Sequence, residues 1–118
     1  MIMNESAENY LETILILSKM LPVVRAVDIA AEMGFKKSSV SVAMKHLKEQ
    51  NLITVNDSGF ISLTDSGKNI AEQIYERHQV ITTLLEKLGV PAKIASKDAC
   101  KIEHILSEES FAAIKKVI

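Results

Sequence analysis

Residues 26–64 read AVDIAAEMGFKKSSVSVAMKHLKEQNLITVNDSGFISLT, and the spacing of the apolar residues changes within this stretch. It opens with two segments of helical periodicity that are separated by Gly34, a residue that commonly ends helices. We expect Ser38 to cap the second helix, because a serine hydroxyl accepts hydrogen bonds from the backbone amides at a helix start. The apolar positions predicted to face inward are Ile29, Ala30, Met33, Val40, Met44 and Leu47.

After Asn51, apolar residues recur at every second position. The segments LITV and FISLT alternate apolar and polar residues, and NDSG between them is typical of a turn, so residues 52–64 predict a β-hairpin. A further helix is predicted before the stretch, from about Ser6 to Leu21, and Pro22 marks its end. Three helices followed by a hairpin is the order of a winged helix-turn-helix.

The remainder of the chain also shows helical periodicity. We expect a long helix that Thr64 caps and that runs to about Leu88, a second helix after Pro91, and a last short helix that Ser107 caps. Hydrophobic residues make up 47% of the 118 residues and aromatic residues only 4%, a balance that suits helices packed on helices. The predicted fold is therefore mainly α with one small β-hairpin.

The charge and the cysteine content of the chain limit which partners and which cellular compartment are expected. A formal net charge of -1 excludes a uniformly basic nucleic-acid coat. From Arg25 to Asn51, however, five Lys or Arg residues oppose three acids, which fits a local, salt-sensitive DNA contact and also fits chance. Cys100 is the only cysteine, so an internal disulfide is excluded and a reducing cytoplasm is expected. The MIMNESAENY start lacks the features of a secretion signal, and no apolar run is long enough to span a membrane.

The second helix of the helix-turn-helix is expected to enter the major groove of DNA. Its lysines supply charge for phosphates, its serines offer hydroxyls to phosphates or base edges, and Val42 suits contact with a thymine methyl. A solvated helix face is the alternative interpretation, and the hairpin that follows favours DNA. The predicted DNA-binding residues are Lys36, Lys37, Ser38, Ser39, Ser41, Val42 and Lys45, with Ser58 in the hairpin turn.

A second group of candidates lies in ACKIEHILSEES, residues 99–110. Cys100 precedes Glu103 by three residues and His104 by four, which would place a thiol, a carboxylate and an imidazole on one side of a helix. An unpaired carboxylate is costly at the margin of a buried face, so this trio is expected to have partners. The surrounding residues that look like helix core are Ala95, Ala99, Ile102, Ile105 and Leu106.

Three more candidates lie elsewhere in the chain. His78 falls on the apolar stripe of the long helix, and Glu12 lies in the first helix with Asn9 one turn earlier. If these helices meet, the residues converge around a divalent cation, and imidazole, thiolate and carboxylate together suit Fe(II), Co(II), Ni(II) or Zn(II). Taken singly, Cys100 fits a small core filler, His78 a hydrogen-bonded core histidine and Glu12 a solvated acid.

Five segments of the chain, in order, carry a family resemblance: ENYLETIL, DIAAEMGFKKSSVSVAMKHL, GFISLTDSGK, ERHQVITTLLEKLGV and DACKIEHILSEES. With these segments the chain resembles the iron- and manganese-dependent repressors of the diphtheria toxin repressor and manganese transport regulator type. The resemblance implies a winged helix-turn-helix DNA-binding domain over residues 1–64 and a helical metal-binding and dimerisation domain over residues 65–118. It also implies a cytoplasmic homodimer that binds a palindromic double-stranded operator when metal is bound. A metal that joins the two domains would fix the angle between them.

The resemblance also assigns ligands. The regulatory metal site of the family maps onto Asn9, Glu12, Cys100, Glu103 and His104, and His78 maps onto a histidine that ligates metal in the family. Family members carry Asp or Met where this chain has Asn9, whose amide brings no charge. Cys100 is the choice of the iron branch, so Fe(II) is the expected metal and Mn(II) the second, with Co(II), Ni(II) or Zn(II) accepted in vitro.

Two further positions depart from the family. Thr82 and Ser96 stand where the toxin-repressor branch supplies a carboxylate and an imidazole to a second site, and neither is a strong ligand. The sequence ends at Ile118, so we expect the short, two-domain form without the SH3-like third domain of longer members.

The predicted function is metal-dependent repression of iron or manganese homeostasis genes. One alternative is a winged-helix transcription factor that has lost metal control, which Asn9 would reflect. An enzyme is a second alternative, and the sequence argues against it, because it has no glycine-rich phosphate loop and no nucleophile–base pair; no small-molecule substrate is expected. A pure protein-interaction module is the third.

Overall fold

The chain folds into six helices and one β-hairpin over the part that the computed structural model describes, residues 4–118. Met1 to Met3, which belong to the predicted N-terminal domain and to the MIMNESAENY stretch, lie outside the described residues. The elements are α1 Glu5–Met20, α2 Ala26–Met33, α3 Lys37–Glu49, β1 Ile53–Val55, β2 Ile61–Leu63, α4 Asp65–Lys87, α5 Ala92–Ile102 and α6 Glu108–Val117. This order confirms the predicted fold class.

The chain divides into two compact units, Met1–Glu72 and Gln73–Ile118, and α4 contributes residues to both. In the first unit the three helices and the hairpin surround one apolar core. Its fully buried members include Leu11, Ile14, Ile29 and Val40, which come from α1, α2 and α3. The inward positions predicted for α2 and α3 are buried, except that Met33 is partly exposed.

The helix-turn-helix follows from local chemistry at its joints. Asn4 caps α1, because its Oδ1 accepts from the Ala7 amide at 2.7 Å. The chain leaves α2 through Gly34, which adopts a positive φ of 70° that costs a glycine little. Helix α3 then begins after only a short connection. Because the short connection and the buried residues of α3 fix the position of the helix, its exposed face has a fixed position too.

The prediction that Ser38 caps α3 is wrong. Helix α3 begins one residue earlier, at Lys37, with Lys36 as a cap that makes no side-chain hydrogen bond. The Val40 amide already donates to the Lys36 carbonyl at 3.1 Å, and Val40 is fully buried. Burial of Val40 therefore sets the phase of the helix, and the cap preference of serine does not decide the start. Ser38 lies in the first turn and is exposed.

The hairpin pairs Ile53 with Leu63 and Val55 with Ile61 in an antiparallel register. Its turn is held by Asn56, whose Oδ1 accepts from the amides of both Ser58 and Phe60 at 2.9 Å. The Ile61 amide also donates to the Val24 carbonyl at 2.7 Å, which joins the hairpin to the segment before α2. The hairpin is thus attached to the helices at its inner edge, as the wing of a winged helix is.

Helix α4 begins where the sequence predicted. Thr64 Oγ1 accepts from the Gly67 amide at 3.1 Å and donates to the Asn51 carbonyl at 2.8 Å. Gly67 lies so close to Leu52 that a Cβ at position 67 would overlap the Leu52 carbonyl. The end of the hairpin and the start of α4 therefore form one tightly packed corner.

In the second unit, α5 follows Pro91 and buries Ala95 and Ala99 completely. The predicted cap of α6 is confirmed, because the Ser110 amide donates to Ser107 Oγ at 3.1 Å. Phe111 of α6 is buried as well. Among the described residues, no helix is both long enough and apolar enough to cross a membrane.

Helix α5 is shorter than the sequence suggested. It ends at Ile102, so Glu103 is the C-cap and His104 lies in the turn that follows. Of Cys100, Glu103 and His104, only Cys100 therefore lies within α5, although the backbone of Glu103 is still helical and its amide donates to the Ala99 carbonyl. The Ile105 amide donates to the Ile102 carbonyl at 3.1 Å, which tightens this turn. Ile105 was expected in the core and is instead 78% exposed, because the turn directs it outward.

Candidate metal centre and nucleic-acid interface

Helix α3 presents a polar and basic face to solvent. Its buried side is formed by Val40, Met44 and Leu47, and the opposite side carries the residues that the sequence predicted for DNA contact. All of these residues are exposed: Lys36, Lys37, Ser38, Ser39, Ser41, Val42 and Lys45. Val42 is an apolar side chain on this polar face and is 56% exposed. The face offers positive charge, hydroxyl groups and one apolar contact, which is the chemistry that the major groove requires.

The wing supplies a second exposed element in the same unit. Ser58 lies exposed in the hairpin turn, and its amide is occupied by Asn56 Oδ1. The Arg25 guanidinium lies over the Phe60 ring at 4.8 Å from Cζ to the ring centroid. This stacking ties the start of α2 to the wing, so the wing has a fixed position relative to the helix-turn-helix.

Four of the predicted metal ligands come together in the second unit. His78 Nδ1 lies 3.0 Å from Glu103 Oε2 and 3.7 Å from Cys100 Sγ. His104 Nε2 lies 3.4 Å from Glu103 Oε1. The Glu103 carboxylate therefore has an imidazole near each of its oxygens, and the Cys100 thiol lies near one of these imidazoles. We call His78, Cys100, Glu103 and His104 the 78–104 cluster.

Glu103 has unusual surroundings for an acid. Its side chain is 0% exposed and that of His104 is 2% exposed, whereas that of His78 is 21% exposed. Glu103 Oε1 has no hydrogen-bond partner of good geometry among the described residues, although His104 Nε2 is near. A buried carboxylate oxygen in this condition is costly unless a cation or a proton donor neutralises it.

The position of His78 is fixed by a residue that the sequence had not assigned to this role. Ser96 Oγ lies 3.3 Å from His78 Nε2, on the side of the ring opposite to Glu103. With the proton on Nδ1, His78 donates to Glu103 Oε2 and its Nε2 accepts from the Ser96 hydroxyl; with the proton on Nε2, His78 donates to Ser96 and its Nδ1 lone pair can ligate a metal ion. In the sequence, Ser96 is only a weak ligand candidate. Nothing in its spacing indicates a contact with His78, which lies eighteen positions earlier.

The 78–104 cluster contains the residue types that bind a divalent metal ion. It combines one thiol, one carboxylate and two imidazoles, a donor set that transition metals of intermediate softness prefer. The orphaned Oε1 of Glu103 is the observation that decides the fit, because a cation is the partner that a buried carboxylate oxygen lacks here. Ser96 supplies the outer hydrogen bond that metal-ligating histidines commonly have.

The other two predicted ligands belong to the first unit. Glu12 lies on α1 and is 7% exposed, and Asn9 lies one turn earlier and is partly exposed. Their role as ligands stays a prediction from the sequence.

These two units define a class of protein. A winged helix with a free polar reading face, and a helical unit with a metal-compatible cluster, together describe a DNA-binding transcriptional regulator. Two family models match the chain. Residues 2–59 match the iron-dependent repressor N-terminal DNA-binding domain, and residues 64–118 match the iron-dependent repressor metal-binding and dimerisation domain.

Related proteins agree with the family models. The transcriptional regulator MntR of Escherichia coli is 34% identical over 111 residues, which cover 94% of this chain and 72% of that protein. An uncharacterised HTH-type transcriptional regulator of Methanocaldococcus jannaschii is 33% identical over 115 residues, 96% of this chain and 92% of that protein. The chain therefore belongs to the iron-dependent repressor family. The family resemblance predicted from the sequence is confirmed.

Solved structures with the same fold include the manganese regulator SloR, with a TM-score of 0.82 and 26% identity over 99% of this chain. They also include IdeR of T. acidophilum, with a TM-score of 0.79 and 28% identity over 92%. A manganese-dependent transcriptional repressor in complex with manganese has a TM-score of 0.84 and 29% identity over 93%. This chain spans 54%, 52% and 51% of those three chains, about half of their length.

Proposed function

We propose that this protein represses transcription of iron or manganese homeostasis genes by binding DNA in response to a divalent metal ion. The observation that carries the proposal is the Glu103 carboxylate, buried with an imidazole near each of its oxygens and with one oxygen orphaned, in a chain whose other unit is a winged helix. A bound divalent ion would supply the positive charge that this carboxylate lacks.

Each residue of the 78–104 cluster has a distinct part in this proposal. Glu103 supplies the buried negative charge, His78 Nδ1 contacts one of its oxygens, and His104 Nε2 lies 3.4 Å from the other. Cys100 supplies a soft sulfur at the exposed edge of the cluster. Glu12, and Asn9 with its uncharged amide, are proposed as further ligands on the sequence resemblance alone.

The donor set bears on which metal is used. A thiolate and imidazoles favour Fe(II), Co(II), Ni(II) and Zn(II) over Mn(II), whereas carboxylates favour Mn(II). Among the similar proteins, SloR is named as a manganese regulator, and another solved structure is a manganese-dependent repressor in complex with manganese. We propose Fe(II) as the regulatory ion because of Cys100, with Mn(II) as the second candidate.

On the DNA side, we propose that α3 enters the major groove and that the wing with Ser58 contacts the adjoining backbone. Two copies of the chain, related by a two-fold axis through the C-terminal unit, would place two α3 helices on a palindromic operator. The description of the matched C-terminal family domain as a dimerisation domain supports this arrangement. We propose a cytoplasmic location for the repressor, because it must reach the DNA that it binds.

Operator binding with and without metal tests this proposal. A duplex is first selected from a random-sequence pool by the parent protein, in parallel with Fe(II) under anaerobic conditions, with Mn(II), and with no metal. Its binding is then measured by fluorescence anisotropy for the parent, Glu103→Gln and His104→Ala. We expect one of the metals to tighten binding by the parent at least about tenfold, a coupling of typical allosteric size.

Glu103→Gln and His104→Ala should lose this metal response while keeping the fold by circular dichroism. Glu109→Gln is the matched control, because Glu109 is an exposed acid in the first turn of α6. Glu12→Gln tests the predicted ligand role of Glu12 in the same assay. A Glu103→Gln variant that responds to metal as the parent does would contradict the proposed site. DNA binding that is equally tight without metal would instead favour a transcription factor that has lost metal control.

A further inference from the structure

Arg77 precedes His78 on α4, and the two side chains hold the same acidic residue in different ways. Arg77 Nη1 donates to the Leu106 carbonyl at 2.5 Å and to the Glu103 carbonyl at 3.4 Å. His78 Nδ1 meets the carboxylate of Glu103 at 3.0 Å. One guanidinium and one imidazole, from consecutive residues, thus engage both the backbone and the side chain of Glu103.

The segment that Arg77 engages needs such a contact. Glu103 is the C-cap of α5, and the chain runs through a turn before Ser107 starts α6. The last carbonyls of a helix have no partner within the helix and carry partial negative charge, so a cation at this end is stabilising. Arg77 supplies that cation from another helix, with a planar head that can donate to more than one carbonyl.

The guanidinium is itself held in place. Its Cζ lies 5.0 Å from the centroid of the Phe111 ring, and Phe111 is buried in α6. Stacking on an aromatic ring limits the freedom of a long side chain. Arg77 therefore links α4, the turn at residues 103–106 and α6 at one point, immediately behind the 78–104 cluster.

We propose that Arg77 is a positioning residue for the metal centre: it fixes the turn at residues 103–106 so that Glu103 and His104 present their side chains together to one metal ion. Arg77 acts through the backbone of the turn and is not itself a ligand. The inference rests on the proposed function, because it assigns to Arg77 the geometry of that same site. Without Arg77 the turn would still form, but with more freedom, and part of the binding energy for metal would be spent on ordering it.

Arg77→Met removes the charge and the hydrogen bonds while keeping an unbranched apolar side chain against Phe111. The matched control is Lys115→Met. Lys115 Nζ lies 5.5 Å from the same Phe111 ring and 3.3 Å from Glu76 Oε1, so this change also removes one cation from the ring. The two variants have equal net charge and each lose a cation from the same ring; only Arg77→Met loses the contact with the turn, and only Lys115→Met loses the exposed contact with Glu76.

The first measurement needs no metal. Hydrogen exchange of the metal-free protein reports on the amides of Glu103, Ile105 and Leu106, which donate to the Ala99 and Ile102 carbonyls near the end of α5. Arg77→Met should raise their exchange about tenfold or more, because hydrogen bonds from a charged donor are among the stronger ones. Lys115→Met should leave it near the parent value. Unchanged exchange in Arg77→Met would overturn the inference whatever the metal does.

The second measurement is Co(II) binding by calorimetry, together with the absorption spectrum of the bound Co(II), whose thiolate charge-transfer band reports on Cys100. Arg77→Met should weaken Co(II) binding by roughly 10- to 100-fold, as loss of outer support does at other metal sites. The band should change in shape, which a general loss of stability would not produce. Lys115→Met should match the parent in both readouts.

The outcomes separate this inference from the proposed function. If the parent binds Co(II) and Arg77→Met binds it equally well, the positioning role is overturned and the metal site stands. If the parent binds no Co(II), or Glu103→Gln binds it as well as the parent, the proposed site fails and this inference fails with it. If Arg77→Met does not fold, Arg77→Lys decides, since it keeps the charge but not the planar head: weaker Co(II) binding supports the inference and parent-like binding overturns it.

Discussion

At the scale of single residues, Glu103 and Cys100 have different roles in the proposed metal site. Glu103 is wholly buried, so it fixes where charge must be neutralised. Cys100 lies exposed at 3.7 Å from the same imidazole nitrogen that contacts Glu103. A residue at this exposed edge can change chemical type without disturbing the core. We therefore propose that Glu103 determines whether a metal binds and that Cys100 determines which metal binds best.

The substitution Cys100→Glu tests this division. It replaces a soft sulfur with a hard carboxylate, so the ratio of Mn(II) to Co(II) affinity should rise by about tenfold or more. The measurement is competition between the two ions in calorimetry, with operator binding as a second readout. Cys100→Ser, which removes the thiol without adding charge, is the control and should weaken Co(II) binding without the gain for Mn(II). An unchanged ratio in Cys100→Glu would show that Cys100 does not contact the metal.

At the scale of secondary structure elements, the sequence predicted what depends on neighbouring residues. The change of apolar spacing near Asn51 located the hairpin, and the caps at Thr64 and Ser107 were found because a hydroxyl bonds an amide three residues later. The start of α3 was misplaced because burial of Val40 outweighs the capping preference of Ser38. Local preference is a weak signal wherever packing opposes it.

The sequence predicted the residue types of the candidate site better than it predicted their geometry. The spacing of Cys100, Glu103 and His104 indicated a metal site, yet only the first of them lies within α5. The helix ends at Ile102, where Arg77 meets the carbonyls that follow. That contact joins residues 29 positions apart, and spacing in a sequence carries no information about it. The contact between Ser96 and His78 was not predicted for the same reason.

The corner between the hairpin and α4 gives a prediction at this scale. Gly67→Ala would place a Cβ against the Leu52 carbonyl, a backbone group that cannot move aside without shifting the corner. Overpacking of this kind costs about 1–3 kcal/mol, which should exceed the roughly 1 kcal/mol that Ala contributes over Gly within a helix. Urea denaturation should therefore show a lower free energy of unfolding for Gly67→Ala. Ser66→Ala, at the exposed neighbouring position, should change it by no more than about 0.5 kcal/mol. A gain in stability for Gly67→Ala would contradict the close packing of this corner.

At the scale of the whole molecule, charge is distributed in a way that suits a regulated DNA contact. The formal net charge of the chain is -1, so non-specific attraction to DNA is weak. The exposed lysines on and beside α3 concentrate positive charge on one face. Binding then depends on presenting this face correctly, and a two-fold dimer presents it twice. If metal binds the DNA-competent state more tightly than the other state, it raises the population of that state. In a dimer, this change affects binding at both half-sites of the operator.

This distribution of charge leads to a prediction about salt. If Lys36, Lys37 and Lys45 contact phosphates, a dimer loses about six such contacts in the triple Lys→Ala variant, and each contact contributes about -0.9 to the slope of log affinity against log salt. The variant should bind the selected duplex more weakly, with a slope that is less steep by roughly three to five, because some of the contacts are partial. Lys93→Ala, Lys97→Ala and Lys101→Ala together form a control of equal charge, since these exposed lysines lie on α5. Anisotropy titrations at several salt concentrations, with saturating metal, measure both slopes. If the α3 variant keeps the slope of the parent, α3 is not the helix that contacts DNA; if the α5 control loses as much, the effect is one of net charge and not of position.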